Sequence, residues 1–360
     1  MKMSPLNTFV AASLCATLFT GGPAAAGKIV IAHRGASGYL PEHSLPGKAA
    51  AHAMGADYVE QDLVMTRDDR IIVLHDLYLD RVTDVADVFP DRRRPDGHYY
   101  AVDFDLTEIK RLRLMEAFKR EGDALAAISP VRFPPGRSIF RISTLEEELE
   151  LIQGMNHSTG RVVGIYTEIK APWFHHQEGK DLSRAALDVF KQYGYARRQD
   201  PLYLQSFDPR ELQRLRTELL PALGMDLKLV QLIAETRWQV TMVIEDGRAV
   251  PYDYDWMKRP EAMAQIAAYA DGIGPWFNML VRPESTPGKI EVTGMVEAAH
   301  AAGLVVHPYT FRSDPGQVPP YAADFEDLLD IFFFKVGVDG VFTDFPDRAV
   351  RFLNQHPQGR

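Results

Sequence analysis

Residues 28–44 read KIVIAHRGASGYLPEHS. An apolar run, Ile29 to Ala32, leads straight into His33, Arg34 and Gly35, and a second polar group, Glu42, His43 and Ser44, follows. The run is short and rich in β-branched residues, and a glycine punctuates it, as in a fully buried strand of a parallel sheet. Such a strand carries a histidine and an arginine to its C-terminal end, where open α/β sheets and α/β barrels place their clefts.

Outward from this stretch the same pattern recurs. Short apolar runs occupy 57–65 (DYVEQDLVM), 162–169 (VVGIYTEI), 202–207 (LYLQSF), 228–233 (KLVQLI), 271–276 (DGIGPW), 304–309 (LVVHPY) and 338–342 (VDGVF). Helical stretches separate them, at 44–54, 181–193, 209–220, 259–270 and 291–302. Alternation of strand and helix about eight times is the plan of a (β/α)8 barrel, with a doubly wound sheet as the architectural alternative. Residues 71–75 (IIVLH) form a ninth run, expected as a short strand after the turn Arg67-Asp68-Asp69-Arg70. From Asp76 to about Gly160 the connection is too long for a simple crossover. It reads as an insertion after the second barrel strand, with helical segments at 106–117 and 144–154.

Residues 1–26 stand apart. Lys2 gives a positive start, FVAASLCATLF (9–19) is mostly apolar, and Ala24-Ala25-Ala26 precedes Gly27. This is the pattern of a secretory signal peptide, which leaves a domain over 27–355. The only cysteine, Cys15, falls in the leader, so disulfides and thiolate catalysis are excluded from the remainder. Removing Lys2 leaves 39 basic against 49 acidic residues, or −10, which disfavours nonspecific nucleic-acid binding. No later run is apolar enough for stable membrane insertion.

Side chains alternate along a strand, so Glu60 and Asp62 share one face and Gln61 the other. Two carboxylates side by side in a barrel mouth repel unless a cation or proton intervenes. With Glu168, at the end of another strand, they form an oxygen ligand trio suited to Ca²⁺ or Mg²⁺. Lys170, two residues on, would pair with an anion or restrain a carboxylate. His33 and His75 each close an apolar run and are followed by a charged residue, which suits a general acid–base pair. Arg34 brings a fork of donors matched to phosphate oxygens. Phe207 and Trp276 are either core aromatics or pocket walls, and His307 could border substrate. His300 reads as an exposed or capping residue, and His175 and His176 as a surface loop. Phosphate, hard metal and two histidines together point to phosphoryl transfer.

HRGASGYLPEHS (33–44), EQDLVMTRDD (60–69), VLHD (73–76), TEIK (167–170) and VFTDFPD (341–347) jointly resemble the glycerophosphodiester phosphodiesterases, especially the bacterial periplasmic type. The resemblance spans about residues 28–350. It implies a TIM barrel with a small insertion after the second barrel strand, and periplasmic localisation. It further implies Glu60, Asp62 and Glu168 as metal ligands, Ca²⁺ first and Mg²⁺ as the alternative, with His33 and His75 as the catalytic pair. Arg34 and Lys170 would bind phosphate, and Glu42 would touch the metal or orient Arg34. Family members commonly read P-E-N where this chain has Pro41-Glu42-His43, a departure familiar in the periplasmic group. The implied partners are small glycerophosphodiesters, with a homo-oligomer left open.

Two other readings compete. A related barrel acting on intact phospholipids would need an apolar rim, and Phe332-Phe333-Phe334 is the segment to inspect. Three consecutive aromatics on a helix cannot all face one way, so a helix wedged between barrel and tail is the simpler expectation. A non-enzymatic phosphate binder would not require both histidines and all three carboxylates.

Overall fold

The computed structural model describes residues 27–122, 124–246 and 248–357; the expected leader lies outside them. Eight parallel strands form the centre: β1 (Ile29–Ala32), β2 (Tyr58–Met65), β3 (Gly164–Ile169), β4 (Leu202–Ser206), β5 (Lys228–Ile233), β6 (Gly272–Pro275), β7 (Val305–Val306) and β8 (Gly340–Thr343). Each pairs with its neighbour in chain order from β1 to β7, and β8 returns to pair with β1. The last seam, beside the short β7, is held by Phe311 N–H donating to the Phe342 carbonyl at 2.8 Å and Phe342 N–H to Pro308 at 3.0 Å. An open doubly wound sheet would leave that seam unpaired. The fold is therefore a nearly closed (β/α)8 barrel.

Period two decides what fills it. Ile31, Tyr166, Val230 and Phe342 are buried together inside, beside Tyr58 and Tyr203, with Tyr166 and Tyr203 stacked at 4.8 Å. Two residues further along the same strands and their extensions stand His33, Glu60, Glu168, Gln205, Leu232 and Asp344. The aromatic layer thus floors the mouth. The intervening positions face the helices; Gln61 accepts from Thr167 Oγ1 at 3.0 Å and Val59, Leu63 and Ile165 join the main apolar core.

Local chemistry sets the helix ends. Ser44 Oγ accepts from Gly47 N–H to cap Leu45–Met54, and Gly55 ends it in the left-handed region. Thr144 and Glu147 form a capping box for Leu145–Thr159. That helix packs beside Leu45–Met54, so it belongs to the outer ring, and the inserted segment proper runs from Asp76 to about Ser143.

The short strand Ile71–Val73 forms as expected, antiparallel to β2. The helix expected over 106–117 does not; only Leu106–Ile109 is helical. Beyond it Leu112 and Leu114 are buried while Arg111 and Arg113 are exposed, an alternating pattern that extended chain satisfies and a helix would not. The inserted segment has its own small core, including Leu79, Val82, Tyr99, Phe104 and Leu114. Residues 331–336 form a helical turn in which Phe332 meets Phe311 while Phe333 and Phe334 meet Phe352. These aromatics bridge barrel and C-terminal helix and form no apolar rim. Among the described residues no helix is long and apolar enough to cross a membrane.

Candidate active site

The C-terminal ends of the strands open into a cavity of about 970 Å³ lined by His33, Arg34, Glu60, Asp62, His75, Glu168, Phe207 and Trp276, among others. Parallel pairing of β2 with β3 sets Asp62 directly opposite Glu168. Lys170 stands behind, its Nζ 3.1 Å from Glu168 Oε1 and 3.9 Å from Asp62 Oδ1. Phe207 and Trp276 are therefore cavity walls, and the Phe207 ring lies 5.9 Å from Lys170 Nζ.

The loop after β1 is tightly constrained. Gly35 adopts φ +87°, and a Cβ there would lie 2.9 Å from the Gly47 carbonyl carbon. Arg34 and His43 both take φ near +58°, a region that bulky residues rarely enter and that histidine tolerates better than most. This turn brings the Arg34 backbone N–H to within 2.6 Å of Glu60 Oε2 and its guanidinium Nη1 to 2.8 Å of Glu42 Oε2. Glu42 orients Arg34. Burial would raise the Glu42 pKa, but Arg34 and Arg81 outweigh it and hold it at about 2. Arg34 Nε is buried without a hydrogen bond and lies 3.7 Å from Asp62 Oδ2.

Each mouth histidine has a carboxylate partner. His33 Nδ1 is 2.6 Å from Asp344 Oδ1, and His75 Nδ1 is 2.5 Å from Asp76 Oδ1. Asp344 also accepts from Arg132 at 2.6 Å and Arg312 at 2.8 Å; against its burial, Arg312, His33 and Arg132 keep it ionised well below the usual range. Burial and Arg34 lower the His33 pKa to about 4 despite Asp344, and burial, Arg34 and Lys170 likewise lower His75. Asp76 and Asp344 lie within VLHD and VFTDFPD, yet no local pattern assigns them a role. Nor does one mark Arg132, which the inserted segment supplies.

Lys170 and Arg34 do not offset burial and mutual repulsion at all three carboxylates. Burial, followed by Asp62, pushes Glu60 well above the ordinary carboxylate range. Burial outweighs Lys170 and raises Glu168 to about 8. Asp62 is the exception: against burial, Lys170 and the His43 hydrogen bond hold it well below. Its Oδ1 is nonetheless buried without a hydrogen-bond partner, as is Gln205 Oε1 on the next strand. Orphaned oxygens and mutually repelling carboxylates fit a hard divalent cation.

Ligand atoms of His43, Glu60 and Asp62 lie within 4.8 Å of one another. His43, however, is committed on both nitrogens: Nε2 is 2.9 Å from Asp62 Oδ2 and Nδ1 is 3.2 Å from Lys48 Nζ. An ammonium only donates, so Nδ1 accepts and Nε2–H donates to Asp62. The bond aims the Asp62 oxygens. Lys48 in turn is paired with Glu148 at 3.1 Å, both fully buried.

Three other histidines lie outside the cavity lining. His307 lies in the barrel interior, its Nδ1 3.0 Å from the Tyr166 hydroxyl, and does not border the cavity. His175 is buried on the helix Pro172–Gln177 and accepts from Met65 N–H at 3.2 Å, against the surface loop expected of it. His300 is exposed near a helix end, 2.8 Å from Asp339.

The family model for the glycerophosphoryl diester phosphodiesterase family matches residues 33–348. A glycerophosphodiester phosphodiesterase of Haemophilus influenzae is 52% identical over 328 residues, covering 91% of this chain and 90% of the relative. One of Treponema pallidum is 42% identical over 349 residues, covering 95% and 98%. Among solved structures, an Oleispira antarctica phosphodiesterase in complex with the product sn-glycerol-3-phosphate superposes with a TM-score of 0.58 at 21% identity, covering 91% of this chain and 97% of that one.

Proposed function

The chain belongs to the glycerophosphoryl diester phosphodiesterase family, and from that premise we propose that it cleaves glycerophosphocholine, glycerophosphoethanolamine and similar diesters to sn-glycerol 3-phosphate and an alcohol. One observation carries the proposal: two histidine–aspartate pairs, His33–Asp344 and His75–Asp76, converge on the cavity that also presents Arg34 and three carboxylates.

In each pair Nδ1–H donates to the carboxylate, which leaves Nε2 for proton exchange. Arg34 Nε and Lys170 Nζ hold nonbridging phosphate oxygens. An anionic diester entering between the rings raises both imidazole pKa values. One ring then accepts the proton of a glycerol hydroxyl as that oxygen bonds to phosphorus, while the other protonates the departing alcohol oxygen as its P–O bond breaks; water then opens the resulting cyclic phosphate to sn-glycerol 3-phosphate with the two roles reversed. A divalent cation on Glu60, Asp62 and Glu168, Ca²⁺ first and Mg²⁺ as the alternative, would supply positive charge beside the phosphate. His43 fixes Asp62 from behind.

The decisive assay is hydrolysis of glycerophosphocholine with direct detection of sn-glycerol 3-phosphate. It is run after chelation, again with Ca²⁺ or Mg²⁺ restored, and beside E60A/D62A. Product that returns with metal in the wild type and not in the variant is the expected result; a folded, metal-loaded protein forming none overturns the reading. On the leader pattern alone we place the enzyme in the periplasm, and N-terminal sequencing of exported protein should begin at Gly27.

A further inference from the structure

A second cavity of about 490 Å³ shares Arg34, Arg312 and Gln317 with the first and is not lined by the carboxylate trio. The inserted segment builds most of its outer wall, through Glu116, Ala117 and residues 128–132. The charges facing it are almost all committed. Arg34 holds Glu42, and Arg132 and Arg312 share Asp344; Arg81 lies 3.1 Å from Asp76 and 3.5 Å from Glu42, close enough to pair by charge although its Nε and Nη2 make no hydrogen bond. Asp314 accepts from Arg132 and from Ser129.

Glu116 is different. It is 5% exposed, and its Oε2 has no hydrogen-bond partner. Burial, partly offset by Arg132 and reinforced by Glu42 and Asp344, raises its pKa to about 8. The Ala117 backbone N–H and the charge of Arg132 both favour the carboxylate, yet neither donates to Oε2, and a buried acceptor left without a donor is costly. No aromatic ring lines this cavity, whereas Phe207, Trp238, Trp276 and Tyr309 line the first. A quaternary ammonium favours aromatic faces and has no N–H to give. A primary ammonium can donate to Glu116 Oε2.

We propose that the second cavity receives the alcohol half of the diester when that alcohol carries a primary ammonium group, and that Glu116 is the residue that selects it. This rests on the phosphodiesterase reading above, because Arg34, shared by both cavities, would hold the phosphate between the two halves of the substrate. The inserted segment then sets headgroup preference while the barrel supplies the chemistry.

The test compares kcat/KM of the full chain on glycerophosphoethanolamine, its N-acetyl derivative and glycerophosphoglycerol. A hydrogen bond to a charged group implies that the wild type favours the free amine over the acetylated one by about tenfold, and that E116Q reduces that ratio toward one. Equal rates on the amine and its N-acetyl form in the wild type, or an unchanged ratio in E116Q, overturn this inference while leaving the phosphodiesterase reading intact. Wild-type protein inert toward all three substrates overturns both. Should E116Q fail to fold, the wild-type comparison with the N-acetyl substrate reads the same contact from the ligand's side.

Discussion

His33 and His75 stand at the smallest scale on which this molecule can be understood. Each is a ring whose Nδ1 is tied to an aspartate and whose remaining nitrogen faces the cavity side. H33A and H75A should each lower kcat by about 10² to 10⁴ if the ring transfers a proton. Both variants should keep the wild-type circular dichroism and bind metal; normal turnover in either would remove that ring from the chemistry. His43 carries a different load. H43L deletes the donor to Asp62 and should weaken Ca²⁺ or Mg²⁺ binding by about 10–100-fold, read as Kd by titration calorimetry. Asparagine both accepts a positive φ and offers an N–H, so H43N should hold most of that affinity.

Elements act by fixing register. β2 and β3 pair so that Asp62 meets Glu168, and a slip of one residue would turn every ligand outward. Behind them the fully buried Lys48 links Glu148 on an outer helix to His43 and to the Glu60 carbonyl. K48M removes one member of a buried pair and leaves Glu148 uncompensated, which costs about 3–5 kcal/mol. Urea unfolding should show a lower midpoint with unchanged slope. The double variant K48M/E148M should recover much of that loss, since no buried charge is then left alone.

At the scale of the whole molecule, stability depends on histidines that do not line the cavity. Burial outweighs other influences on His175 and His307 and lowers both to about 4. In the unfolded chain each titrates near 6.5. The unfolded state therefore binds more protons between these values, so stability is complete above about pH 6.5 and falls as pH drops toward 4. Glu116 and Glu168, raised to about 8, take up protons in the folded chain and oppose this loss, so the histidine contribution is read as wild-type Tm relative to H307L, which should stay level from pH 8 to 7 and decline below 6.5, in chelator as well as in metal. Metal adds a separate term. At a free concentration of 100 Kd, a cation that binds only the folded state stabilises it by about 2.7 kcal/mol. The resulting rise in Tm should vanish in E60A/D62A.

The sequence by itself determined the strands and what stands at their ends. Period two in VEQDLV placed Glu60 and Asp62 on one face, and apolar runs ending in His33 and His75 announced their place at strand ends. These signals are local, a few residues long, and propensity and alternation carry them. The same local logic misled where a periodic pattern was misread: Arg111 to Leu114 alternates as extended chain, yet the segment invited a helix. Tertiary structure alone decided that β7 and β8 close the ring, that Asp344 meets His33 across 311 positions of sequence, and that Arg132 reaches in from the inserted segment. It also decided that His307 is a barrel-interior residue and that Glu116 is buried without a donor. Contacts between distant segments leave no periodic trace in the chain, because they arise only when the barrel closes and excludes the water that would otherwise satisfy those groups.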